Sequence, residues 1–226
     1  PAIAYVVYFR KWEKTTTKNL GIDYAFFNHR LYGSVDLYDK YTTDLIDSKE
    51  LDPTVGATTV KSNVGELSNK GIELLIGGAI ISNRDFRWDA SVNFTYNKNL
   101  LVKFYHSAYT SPTSMTTSGN VEGYPLGAMF AYDWAGLTHD GGLPQIYLND
   151  GTIYSGNYSK LSADEIHYRG TSIAPYFGSI SNSLRYKGFG LSFMFVYNFG
   201  NKIWDDQLTY WYDRLGENVH NDFDKR

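Results

Sequence analysis

"RDFRWDASVNFTYNK", residues 84–98, alternates without a break: Phe86, Trp88, Ala90, Val92, Phe94 and Tyr96 share one parity. Arg87, Asp89, Ser91, Asn93, Thr95 and Asn97 share the other. In an extended chain successive side chains point to opposite faces, so the segment predicts a β-strand with one oily, aromatic-ended wall and one polar wall. A helix at about 3.6 residues per turn would scatter both sets. Two environments suit such a strand: a half-buried sheet of a soluble domain, or a membrane barrel with lipid outside and a wet lumen inside.

Working outward, the same alternation returns in other stretches. In "TTTKNLGIDYAFF" (15–27), Leu20, Ile22, Tyr24 and Phe26 oppose Asn19, Gly21, Asp23 and Ala25. Past a short turn at Asn28 and His29, "RLYGSVDLYDKY" sets Leu31, Val35 and Leu37 against Ser34, Asp36 and Tyr38, which predicts a hairpin over about 14–42. "NKGIELLIGGAII" turns at "SNRD" (82–85) into the opening strand, a second hairpin over about 67–98. The third, about 176–200, turns at Lys187 and Gly188; its second arm carries Phe189, Leu191, Phe193, Phe195, Tyr197 and Phe199 on one parity. Asn182, Leu75, Met194 and Val196 break the pattern.

Short turns and long polar connections alternate along the chain. Because paired strands reverse direction, the turns fall at one end and the long segments 43–66, 98–175 and 201–226 at the other. This asymmetry is how outer-membrane barrels are built, and a soluble sandwich is under no obligation to show it. The expected fold is therefore an all-β, antiparallel transmembrane barrel segment, with residues 1–226 forming part of one barrel domain. Whether 126–136 is a further barrel strand or part of a folded loop stays open at this level.

The chain of 226 residues carries a formal net charge of -3 and no Lys/Arg block, so nothing marks a nucleic-acid surface. It has no cysteine, which removes disulfides, thiolate metal sites and cysteine nucleophiles. The longest apolar run, "LLIGGAII" (74–81), is far below the roughly 18 to 20 residues of a spanning helix. The opening "PAIAYVVYFRKWEK" lacks the initiator Met and basic n-region of a signal peptide, and reads as the middle of something longer.

Five collinear blocks add a specific resemblance: "WEKTTTKNLGIDYAFFNHRLYGSVDLYDKYTTDLI" (12–46), "NVGELSNKGIELLIGGAIISNRDFRWDASVNFTYNKN" (63–99), "EGYPLGAMFAYDWAGL" (122–137), "GLPQIYLNDG" (142–151) and "YFGSISNSLRYKGFGLSFMFVYNFGNKI" (176–203). Together they resemble the SusC/RagA family of TonB-linked outer-membrane transporters of Bacteroidetes. The resemblance implies a barrel of about 22 strands closed by an N-terminal plug. It also implies opening by the TonB machinery and a SusD-like surface lipoprotein as cap and partner, importing glycans or peptides. Measured against that pattern the chain is expected to be a C-terminal-half piece of the barrel, with the plug absent.

Candidate chemistry is sparse. Asp205 with Asp206, Asp133 with Asp140, and Asp164 with Glu165 are carboxylate pairs of the kind a glycosidase uses, but neighbouring acids in polar loops ordinarily form a solvated face, and no enzyme is expected. His29, His106, His139, His167 and His220 show no ligand spacing, and no acidic stretch fits a calcium loop, so neither metal nor cofactor is expected. Phe86, Trp88, Val92, Phe94, Tyr96, Phe189, Leu191, Phe193, Phe195 and Tyr197 are the expected lipid-facing set, with aromatics near strand ends forming an interfacial girdle. Trp204, Tyr210, Trp211 and Tyr212 follow the last clear strand in a polar segment, where exposed rings stack on sugars or anchor a partner. Three functions fit: a segment of an active importer embedded in the outer membrane, a soluble carbohydrate-binding sandwich, or a small self-contained pore or adhesin.

Overall fold

Alternation becomes a continuous antiparallel sheet in the computed structural model, which describes residues 10–204 except 53, 55, 57, 106–111, 113, 114, 117–119 and 141. Four strands come first: β1 (Lys14–Phe26), β2 (Leu31–Glu50), β3 (Thr59–Ser82) and β4 (Phe86–Phe104). An insert holds β5 (Ala128–Ala131), β6 (Asp133–Leu137), β7 (Pro144–Tyr147), β8 (Ile153–Tyr154) and β9 (His167–Thr171). The chain then returns as β10 (Tyr176–Tyr186) and β11 (Phe189–Phe199). The large sheet runs β1-β2-β3-β4-β10-β11, while β5 pairs with β9 and β6-β7-β8 forms a small sheet of its own. Residues 126–136 are thus part of a folded insert and not a barrel strand.

The strands outrun their sequence signal. The segment expected as a loop over 43–66 narrows to 51–58, because β2 and β3 stay paired out to Glu50 and Thr59; the loop expected from 98 begins after Phe104. Apolar alternation stops near Leu37 and Ile72, but hydrogen-bonded pairing needs no apolar side chains. Polar cross-strand partners carry it on: Lys61 with Asp47 at 3.7 Å, and Glu66 with both Lys103 at 2.9 Å and the Tyr41 hydroxyl. At the other end the first turn covers 27–30 and not just Asn28 and His29. Phe27, Asn28 and His29 all take positive φ, and the Arg30 amide closes the turn on the Phe27 carbonyl at 3.2 Å.

Three tyrosines tie this sheet together across two strand boundaries each. Tyr24 of β1 lies over Gly33 of β2, and its hydroxyl donates to the Leu75 carbonyl of β3 at 3.4 Å. Tyr197 of β11 lies over Gly178 of β10 and donates to the Asn93 carbonyl of β4 at 2.9 Å. Tyr38 of β2 crosses Gly71 of β3 to the Asn97 side chain at 2.9 Å. Only a residue without Cβ lets a ring lie that close to the backbone. The second lone pair of a ladder carbonyl then supplies the acceptor that a phenol needs away from water.

Among the described residues the sheet buries few apolar side chains, Val64 and Leu101 near its upper rim. Leu20, Ile22 and Phe195 are 66%, 65% and 62% exposed, and no second sheet covers them among the described residues. A soluble sandwich would bury this face. The main buried cluster lies instead around the insert: Met115, Val121, Ala128, Phe130 and Ile166. β1 and β11 are the free edges of the six-stranded sheet and do not pair, so these strands do not close into a small barrel of their own.

Candidate functional site

Cross-strand register turns the expected oily parities into one surface. The pairs Tyr96↔Tyr176, Val92↔Ile180 and Trp88↔Leu184 join β4 to β10, and Ile180↔Phe195 and Leu184↔Leu191 carry the face onto β11. Ile76↔Val92, Val35↔Leu74 and Ile22↔Val35 extend it across β3, β2 and β1. All ten residues expected to face lipid lie on this one side of the sheet. From Phe86 to Tyr96 the face runs ten residue steps, about 33 Å along a strand. At the tilt of about 40° usual for the strands of an outer-membrane barrel, such a span would stand about 25 Å tall, the height of the apolar belt of those barrels.

Both borders of the band are chemically marked. Along the upper one, Tyr96, Tyr176 and Phe199 stack ring on ring across β4, β10 and β11 with centroids 5.0 Å apart at each step. One position further up, Lys18, Asp39, Lys70 and Lys98 stand opposite one another in a row across β1 to β4. Along the lower one, Trp88 donates its indole N–H to the Asn182 side chain at 3.1 Å. That bond accounts for the polar break in the β10 pattern: an amide on an apolar face is tolerable once it is satisfied.

The opposite wall is polar and interconnected. Asn97 and Asn99 both donate to Asn69 Oδ1, at 3.2 and 2.7 Å, and Asn99 Oδ1 accepts the Leu126 backbone N–H at 2.8 Å. Lower on this wall a groove of about 500 Å³ is lined by Ser91, Ser181, Ser183 and Ser192, with Asp89, Tyr32 and Met194 among its other residues. Of these residues, sequence reading placed Asp89, Ser91 and Asn97 on the polar parity, without finding the network. Its legible trace was the shared parity of Asn69, Asn97 and Asn99.

The insert is fastened to the rim where β4 overshoots β10. β10 pairs with β4 only up to Tyr96; beyond it, Leu101 N–H donates to the Tyr124 carbonyl at 2.9 Å and Gly123 N–H to the Leu101 carbonyl at 2.8 Å. Asn97 N–H donates to the Pro175 carbonyl at 2.9 Å, and Lys202 N–H to the Thr171 carbonyl at 2.8 Å. Tyr124 meets Phe130 edge-on, centroids 5.1 Å apart, and lies 5.2 Å from the Tyr168 ring.

The candidate carboxylates serve this local architecture. Asp133 pairs with the Arg169 guanidinium and lies 3.5 Å from His167 Nε2. Glu165 accepts the Asn149 N–H at 2.7 Å, and the Asp164 carbonyl accepts the Asn149 side-chain N–H at 2.8 Å. The Thr152 hydroxyl and N–H both donate to Asp150 and hold its carboxyl below the usual range; the Ser162 hydroxyl does the same for Asp164. Asp205, Asp206, Tyr210, Trp211 and Tyr212 lie outside the described residues. Trp204 sits just past the Lys202 junction, 57% exposed. Trp12 and Trp134, which sequence reading passed over, are 88% and 60% exposed. Among the described residues no group of three or more His, Asp or Glu side chains has a metal-binding arrangement.

Known proteins agree with this geometry. The chain is 29% identical to the TonB-dependent receptor P39 of Formosa agariphila, an alignment covering 93% of this chain and 24% of the relative. It is also 29% identical to the TonB-dependent receptor SusC of Bacteroides thetaiotaomicron, over 88% of this chain and 20% of that one. The solved RagAB peptide transporter superposes with a TM-score of 0.69 at 28% identity, covering 84% of this chain and 21% of its own. The chain therefore spans about a fifth to a quarter of the length of these relatives. With the family model for the TonB-dependent receptor-like β-barrel matching residues 3–221, the chain belongs to that family.

Proposed function

We propose that this chain is one part of the wall of an outer-membrane importer that takes up a nutrient too large for passive pores. The observation that carries the reading is the uncovered apolar face of the six-stranded sheet, backed by a polar wall. Lipid satisfies the first face and a solvated lumen or plug the second. An open six-stranded sheet would leave two edges of unpaired backbone groups in hydrocarbon, so the wall acts only within a larger closed barrel.

Energy for uptake comes from outside these residues. No "GxxxxGK[ST]" nucleotide loop occurs in the chain, and likeness to SusC and RagAB supports drive by TonB through a plug and a surface lipoprotein as partner. The folded insert and the tip at 51–58 form the natural docking end, with Trp204 offered to ligand or partner, joined by Trp134 and Trp12. Deleting the neighbouring lipoprotein or disabling TonB is expected to abolish uptake of one complex nutrient while barrel abundance in the membrane stays unchanged. Uptake that continues without TonB would instead indicate a passive pore.

Sidedness is tested separately. Epitope tags at Gly56 and Gly142 are expected to label on intact cells, and tags at Asn28 and Lys187 only after the outer membrane is opened. Labelling of Asn28 but not Gly56 on intact cells would invert the orientation.

A further inference from the structure

The lysine row above the belt is not explained by pairing within the sheet. Lys70 and Lys98 are direct cross-strand partners, an arrangement that brings like charges to about 5 Å at Cβ and is destabilising unless an anion lies between them. Asp39 takes up Lys70 at 3.0 Å. Lys18 and Lys98 have no carboxylate partner among the described residues, and both are exposed. Three strand spacings separate the ends of the row, about 14 Å. Lys14 and Lys103 project from the same face slightly higher, Lys103 offset by Glu66 at 2.9 Å and more weakly by Glu122. A chain that is net negative thus concentrates positive charge on its outer face, directly over the apolar residues Leu20, Leu37, Ile72 and Tyr96.

We infer that Lys18, Lys70 and Lys98 form a binding site for the phosphate of a phosphorylated glycolipid in the outer leaflet. The inference rests on the proposed membrane placement. There the row lies at the height of the head groups, each lysine stem can lie along the upper belt, and each ammonium can reach the interface. A phosphate between Lys70 and Lys98 would turn their mutual repulsion into attraction, while the acyl chains of the same lipid lie on Ile72, Phe94 and Tyr96. A free anion would gain the first contact only, and the continuity of charge with apolar surface is what favours a lipid.

The test uses the full-length transporter in bilayer nanodiscs, with phosphorylated lipid A and its dephosphorylated form as probes and retained lipid read by native mass spectrometry. Wild type is expected to retain phosphorylated lipid A at least about tenfold better than the Lys18→Gln/Lys70→Gln/Lys98→Gln variant, each lysine near a charged interface contributing on the order of 1 kcal/mol. Asp39→Asn, which removes the competing carboxylate, is expected to raise retention. Equal retention by wild type and the triple variant, or no preference for the phosphate, overturns the site. Displacement by phosphatidylglycerol or inorganic phosphate at equal concentration overturns the glycolipid assignment. Insertion with unchanged lipid A retention sinks this inference alone, whereas failure of the protein to enter bilayers sinks the membrane placement and the site with it.

Discussion

Val92→Arg is expected to lose most of its assembled barrel, and Asn93→Arg to assemble at the wild-type level, although the two positions are adjacent. Val92 sits mid-belt between Ile76 of β3 and Ile180 of β10, with apolar neighbours on its own face. An arginine facing the middle of a bilayer from a barrel wall costs about 2 to 4 kcal/mol. Asn93 points to the polar wall, where an arginine meets water or polar side chains. Folded yield of the two full-length variants, measured by heat-modifiable mobility, gives the answer. Equal tolerance would remove the basis for placing this face in lipid.

The second large effect concerns Gly178. A Cβ there would collide with the Asn93 carbonyl of the adjacent strand and with the Tyr197 hydroxyl. Backbone cannot move aside without opening the β4–β10 ladder, so Gly178→Val is expected to cost about 1 to 3 kcal/mol in overpacking. Displacing the Tyr197 hydroxyl from its acceptor adds about 1 kcal/mol. Tyr197→Phe should show the second contribution alone. Gly190→Val is the matched control: a Cβ at that position meets nothing within 4 Å, and folded yield should be unchanged. If Gly178→Val folds as well as Gly190→Val, the ring-over-glycine arrangement has no structural weight.

Period-two alternation made the belt legible because an apolar face and a polar face demand opposite polarity at successive positions. Phe86 to Tyr96 could be assigned to one face from letters alone. Above the belt both faces carry polar side chains, so the constraint lapses; residues 43–50 and 59–66 read as loop although they are paired strand. Asn182 looked like an error in β10 until its indole partner, 94 positions away, came into place. The insert was unreadable for a related reason. Its core joins residues such as Val121 and Ile166 across long separations, and its short strands bury neither face in a regular period. Three pairings of the large sheet, β1–β2, β3–β4 and β10–β11, followed by contrast from hairpins marked in the sequence, whereas β2–β3 and β4–β10 did not.

The junction between insert and rim has a mechanical consequence. Four backbone bonds, from Leu101, Gly123, Asn97 and Lys202, cross it, and the two between Leu101 and the 123–124 segment prolong the β4 ladder. A pull on the insert along the strand direction loads that ladder in shear, so its bonds must yield together rather than one after another. A partner gripping the insert therefore holds a stiff handle on the wall, and a tug there is felt in β4 with little slack.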